Sequence, residues 1–131
     1  MRHRRSIDDL MAAWTGRVGR LNPRSAANAA VGGALLIDTR SQDDIRRHGA
    51  IPGALQIPLS VLPWRVDMDS DYRDRRITDL DQDLILLCMD GYSSLWAASL
   101  LIELGFRNVT DVAGGFRAWL AGGLPVLPPR V

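Results

Sequence analysis

Four short, nearly unbroken apolar runs punctuate this chain, and each gives way to a polar or glycine-bearing stretch. Ala34, Leu35, Leu36 and Ile37 lead into Asp38, Thr39 and Arg40. Ala54, Leu55, Gln56 and Ile57 follow the turn Ile51, Pro52, Gly53. Leu84, Ile85, Leu86 and Leu87 lead into Cys88, and Asn108, Val109, Thr110 and Asp111 lead toward Gly114 and Gly115. Runs this short, with little polar alternation, predict strands buried on both faces. The segments between them are helix-like and long enough for right-handed crossovers, so the pattern predicts an α/β fold: a parallel sheet with helices on both sides. A further edge strand is predicted near Arg20, Leu21 and Asn22, ahead of a short helix over 23–31 whose Pro23 occupies the favoured first turn.

Ser6, followed by Asp8, Asp9, Leu10, Met11 and Trp14, reads as the capped start of an amphipathic helix, with Gly16 and Gly19 near its end. The chain therefore divides into residues 1–19, a basic tail and amphipathic helix, and a domain spanning 20–131. Arg2, His3, Arg4 and Arg5 carry the charge of a targeting segment, but Asp8 and Asp9 interrupt the next stretch and no long apolar run appears, so the cluster reads as a solvated tail. Between 94 and 104, Leu95, Trp96, Ala97, Ala98, Leu100, Leu101 and Ile102 make a helix apolar on nearly every face. Such a helix is packed between neighbours, and Gly105 supplies its terminator.

Composition narrows the function classes. With 131 residues, 47% hydrophobic and 24% charged, the chain holds enough apolar side chains for one real core and is not disordered. All sixteen basic residues are arginine, which excludes lysine Schiff-base chemistry and a Walker-type phosphate loop. A net charge of +1 gives no general pull toward nucleic acid or membrane, and no segment approaches the ~20 apolar residues of a membrane span. His3 and His48 lie far apart without cysteine neighbours, so no metal site is predicted. A single cysteine permits no internal disulfide and suits a reducing compartment, here the cytoplasm.

That cysteine, Cys88, stands where a buried run stops and a glycine-bearing loop begins: Met89, Asp90, Gly91, Tyr92, Ser93 and Ser94 come next and open a helix. Loop amides that point inward, together with the positive end of a helix dipole, lower a thiol pKa from about 8.5 and hold an anion at the same point. In parallel sheets ligands bind beyond the carboxyl ends of the strands, and here those ends carry Asp38, Cys88 and Asp111.

Taken in order, several strings resemble the rhodanese-like domain family. They are Leu36-Ile37-Asp38-Thr39-Arg40, the turn Ala50-Ile51-Pro52-Gly53-Ala54, the loop with Cys88 and Gly91, the pair Gly105-Phe106, and Gly114-Gly115-Phe116-Arg117-Ala118-Trp119 ending in Gly123-Leu124-Pro125-Val126. The likeness spans roughly residues 20 to 126. It implies a central five-stranded parallel sheet flanked by helices on both faces, with the cysteine at the centre of a six-residue loop. It also implies a sulfurtransferase, in which the cysteine takes sulfane sulfur from a small donor or a protein persulfide, becomes a persulfide, and passes the sulfur to a thiol or cyanide. No metal or organic cofactor is required.

The departures from the family pattern matter as well. Many such loops read Cys-x-x-Gly-x-Arg-Ser; here Ser93 stands at the arginine position, so a bidentate contact to an anionic donor such as thiosulfate is lost. Asp90 adds a negative charge that raises the Cys88 pKa and repels anions unless its side chain points outward. Phosphate-ester hydrolysis on cysteine loops uses Cys-x5-Arg, and the position six beyond Cys88 is Ser94, which disfavours a phosphatase. Arg65, beside Trp64, is the candidate substitute cation; its alternative is a surface pairing with the nearby Asp67, Asp69 and Asp71. Asp38 and Arg40 are expected to brace the strand end as an ion pair, Phe116 and Trp119 to belong to the core, and Gly114 and Gly115 to permit a close backbone approach. Tyr92 shapes the pocket mouth or merely covers the loop. The Ser93 and Asp90 substitutions leave a second class open: an interaction or regulatory module that has lost donor binding.

Overall fold

The computed structural model describes residues 4–130; the first three residues of the basic tail and the last residue of the chain lie outside that range. Helix α1 (Ile7–Arg17) starts at Ser6, whose hydroxyl accepts the Asp9 amide while the Asp9 carboxylate accepts the Ser6 amide, a complete capping box. Strand β1 (Gly19–Leu21) follows, then α2 (Pro23–Val31), capped by the Asn22 side chain. The chain continues through β2 (Leu35–Asp38), α3 (Gln42–His48), β3 (Leu55–Gln56), a 3₁₀ turn (Leu59–Val61), α4 (Leu62–Val66), β4 (Asp83–Leu87), α5 (Ser93–Glu103), β5 (Asn108–Val112) and α6 (Gly115–Ala121). The five strands form one parallel sheet in the order β1-β5-β4-β2-β3. The expected edge strand is present, beginning one residue earlier at Gly19 because Thr110 pairs with it.

Strand alternation divides the core in two. Leu35, Ile37, Leu84, Leu86 and Val109 face α1, α4 and α5, where they meet Leu62, Val66, Leu95, Ala98 and Leu101. Leu36, Ile85, Leu87 and Val112 face α2 and α6, where they meet Ala26, Phe116 and Trp119. Both faces of the sheet are thus apolar, which is why the strands read as continuous hydrophobic runs. Each fully buried large aliphatic or aromatic side chain contributes about 1.5–3 kcal/mol of transfer free energy.

Met11 and Trp14 of α1 lie against the first of these clusters, so the amphipathic helix packs on the sheet's α5 side. Helix α5 departs from its all-round apolar expectation: Leu95, Ala97, Ala98 and Leu101 are buried, but Trp96 is 44% exposed. Among the described residues no helix is long and apolar enough to cross a membrane, and no group of histidine, cysteine, aspartate and glutamate could hold a metal ion.

Candidate active site

Because β4 is the middle strand, Cys88 leaves the sheet at its centre, buried with 5% exposure. Two backbone amides converge on its sulfur: Gly91 N donates at 3.1 Å and Ser94 N at 3.3 Å, the latter from the first turn of α5. The remaining loop polarity is fixed by α6. Phe116 N donates to the Cys88 carbonyl at 2.8 Å and Arg117 N to the Met89 carbonyl at 3.1 Å, so carbonyls point toward α6 and amides toward sulfur. A positive φ of 89° at Gly91 makes the loop reverse sharply enough for this.

The ionisation of Cys88 is a contest of physical effects. Burial pushes the thiol up, while hydrogen bonds from the Ser94 and Ser93 hydroxyls and from the Ser94 and Gly91 amides pull it down, and the net result lies below the ordinary thiol value. Ser93, at the position where many related loops carry arginine, therefore assists ionisation by hydrogen bonding. Asp90 is turned away from the sulfur, its Oδ1 bonded to Arg117 Nε at 2.5 Å on the surface. Tyr92 is 69% exposed at the loop crest.

Asp38 and Arg40 form an ion pair with both side chains fully buried: Nε donates to Oδ1 at 3.0 Å and Nη2 to Oδ2 at 2.7 Å. Nη2 also donates to the Gly49 carbonyl at 2.9 Å. The guanidinium lies 3.7 Å over the Phe116 ring, and Phe116 holds the Cys88 carbonyl, so the pair reaches the loop through one intervening residue. Arg65 is engaged elsewhere. Its Nη2 donates to Asp74 Oδ2 at 3.0 Å, a partner further along than Asp67, Asp69 or Asp71, and among the described residues it makes no hydrogen bond to the Cys88 loop.

The fold brings Cys88, Ser94 and Asp111 together with a fourth residue, Arg20, whose part in the group had no signal in the sequence. The Cys88 thiol donates to Ser94 Oγ at 3.2 Å, Ser94 Oγ donates to Asp111 Oδ2 at 2.9 Å, and Asp111 is held from the far side by Arg20 of β1. Asp111 lies on the functional edge that its strand predicts, but Arg20 belongs to a three-residue edge strand with no motif of its own. Only the β1–β5 register, which sets Arg20 beside Asp111, reveals the pairing.

A cavity of about 600 Å³ at the opposite edge, where the strands begin, is lined by Val31, Leu35, Pro52, Trp119 and their neighbours and holds no nucleophile. The lone cysteine and its converging amides lie instead in the loop after β4.

A five-stranded parallel sheet flanked by helices, with a cysteine in a loop of converging amides, is a frame for thiolate chemistry on an anionic or sulfur-bearing group. The sequence profile of the Rhodanese-like domain matches residues 23–122, and the chain belongs to that family. A sulfurtransferase of Allochromatium vinosum is 33% identical over 96 residues, covering 73% of this chain and 80% of that protein. Human thiosulfate:glutathione sulfurtransferase is 33% identical over 103 residues, covering 75% and 89%. A solved structure from Rhodopseudomonas palustris, described as a protein of unknown function and possible tyrosine phosphatase, superposes with a TM-score of 0.86 over 96% of this chain and 97% of that one. At 24% identity it attests the fold alone. The named sulfurtransferases among the relatives support sulfur transfer as the general activity of the family to which this chain belongs.

Proposed function

We propose that the protein moves sulfane sulfur through a persulfide on Cys88. In the first step the Cys88 thiolate attacks the outer sulfur of a donor, the donor's S–S bond breaks, and its electron pair leaves with the remainder of the donor, which is sulfite when the donor is thiosulfate. In the second, an acceptor thiolate or cyanide attacks the outer sulfur of the Cys88 persulfide and Cys88 departs as thiolate. Electrons and atoms balance without a redox partner. The observation that carries this reading is the convergence of Gly91 N and Ser94 N on the sulfur, which stabilises the thiolate as nucleophile and again as leaving group.

The donor is the open variable. Without an arginine at Ser93 the cradle has less hold on a dianion, which favours a neutral donor or a protein persulfide over thiosulfate. Arg65 is the proposed contact for the anionic end of a donor that does carry charge: its side chain is 43% exposed and its buried Nε lacks a partner. Cytoplasmic operation suits a lone cysteine with no partner thiol in the chain.

The test is intact mass after incubation with thiosulfate, a low-molecular-weight persulfide and a persulfidated protein in turn. Gain of one sulfur on the wild type and none on Cys88→Ser supports the mechanism. No adduct with any donor would instead favour a rhodanese-like interaction or regulatory module, the reading that the Ser93 substitution recommends.

A further inference from the structure

Ser94 carries one hydroxyl proton and faces two acceptors. Its Oγ lies 2.9 Å from Asp111 Oδ2 and 3.2 Å from Cys88 Sγ, and all three residues are buried, Ser94 and Asp111 completely. When Cys88 is a thiol the chain of donors is consistent: sulfur donates to Ser94, and Ser94 donates to Asp111. When Cys88 is a thiolate the sulfur can only accept, and the single Ser94 proton cannot satisfy both anions.

Arg20 resolves the conflict. Its Nε donates to Asp111 Oδ1 at 2.9 Å and its Nη2 to Asp111 Oδ2 at 3.0 Å, so the carboxylate keeps a partner on each oxygen after the Ser94 hydroxyl turns away. The same Nη2 donates to the Gly91 carbonyl at 2.5 Å, pinning the residue whose amide points at the sulfur. These contacts follow from the fold: β1 and β5 pair in parallel with Arg20 beside Asp111, and Asp111, two residues after Val109, points to the sheet face that carries α5.

Resting on the reading of Cys88 as the sulfur-carrying nucleophile, we propose that Arg20 and Asp111 are positioning residues that make the Ser94 hydroxyl a two-position switch, donated to Asp111 when Cys88 is a thiol or persulfide and to the sulfur when Cys88 is a thiolate. Each half-reaction begins or ends with charge on Sγ, so the hydroxyl follows the charge through the cycle. Asp111 competes for the proton and holds thiolate formation back; Arg20 quiets that competition and contributes a cation, held protonated by Asp111, whose field reaches Cys88. Among the described residues, other charged or titratable groups around the cradle include Asp90 on the loop, which faces Arg117 of α6, Tyr92 on the crest, and the ion pair of Asp38, the last residue of β2, with Arg40.

The test is the pH dependence of Cys88 alkylation by iodoacetamide, read by intact mass, with thermal melts beside it. Asp111→Asn is expected to lower the midpoint by about one unit, because a buried negative charge and a competing acceptor are removed together. Arg20→Gln is expected to raise it by a similar amount, with Arg20→Lys in between. Ser94→Ala, which leaves the Arg20–Asp111 pair whole, is expected to raise the midpoint and to shrink the Asp111→Asn shift in the double variant. A wild-type midpoint in Arg20→Gln or in Ser94→Ala overturns the proposal, as does an Asp111→Asn shift of equal size with and without the Ser94 hydroxyl. If Asp111→Asn does not fold, Ser94→Ala and Arg20→Gln decide alone. Alkylation requires no sulfur donor, so midpoints that shift as expected in a protein that takes up no sulfur would refute persulfide transfer and leave the switch standing.

Discussion

A Cβ built on Gly115 would stand 2.5 Å from the carbonyl oxygen of Cys88, 2.7 Å from the Gly91 amide nitrogen and 2.8 Å from the Met89 carbonyl carbon. Every one of those atoms is backbone of the loop that carries Cys88, and Gly115 itself sits at a φ of +61°. The loop and the start of α6 are therefore in direct backbone contact, with no side chain between them to yield.

Gly115→Ala is accordingly expected to destabilise the protein by roughly 2–4 kcal/mol, combining left-handed backbone strain with overpacking. Chemical denaturation measures the loss. Since α6 also holds the Cys88 and Met89 carbonyls, the alkylation midpoint of Cys88 should rise in the same variant; a destabilised protein with an unchanged midpoint would mean that the loop keeps its shape without α6.

Cys88→Ser is expected to abolish sulfur transfer while the circular dichroism spectrum overlays that of the wild type. Serine fits the cradle and can accept the Gly91 and Ser94 amides, but an alcohol is a far weaker nucleophile at neutral pH. Residual turnover would refute the persulfide mechanism, and a collapsed spectrum would make the cysteine structural.

The acidity of Cys88 also links stability to pH. Its folded value lies below that of the unfolded thiol, about 8.5, so between the two the unfolded chain holds a proton that the folded one has released. The stability of the wild type relative to Cys88→Ser should therefore be greatest above about pH 8.5 and fall as the pH drops through the folded value. A flat difference across that window would show that the amides do not favour the thiolate.

Asp90→Asn tests the sequence-based concern that this carboxylate opposes ionisation. With Asp90 bonded to Arg117 at the surface, the alkylation midpoint is expected to stay within experimental error of the wild type. A clear fall would place the carboxylate near the sulfur.

Ser93→Arg is expected to lower the KM for thiosulfate about ten- to a hundredfold with a smaller change in kcat, the equivalent of one charge-assisted contact of about 1.5–3 kcal/mol made in ground and transition states alike. Arg65→Ala is expected to raise that KM in the wild type. No effect of Arg65→Ala would leave Arg65 as the surface partner of Asp74 alone.

The apolar runs by themselves determined the parallel sheet, because strands covered on both faces have little choice but to be hydrophobic throughout. The position of Cys88 was legible for a related reason: a cysteine at the end of a central buried strand, followed by glycine and a helix start, is a local arrangement. The close backbone approach at Gly114 and Gly115 was legible from the paired glycines, though not the loop they approach, and the Asp38–Arg40 pair was legible because its members are two residues apart. What only the tertiary structure decided depends on groups far apart in the chain. Asp90 meets Arg117 rather than the sulfur, and Arg65 chooses Asp74 over the nearer aspartates. Arg20 meets Asp111 because two parallel strands fall into one register, and no spacing along the chain records which residues a sheet will set side by side.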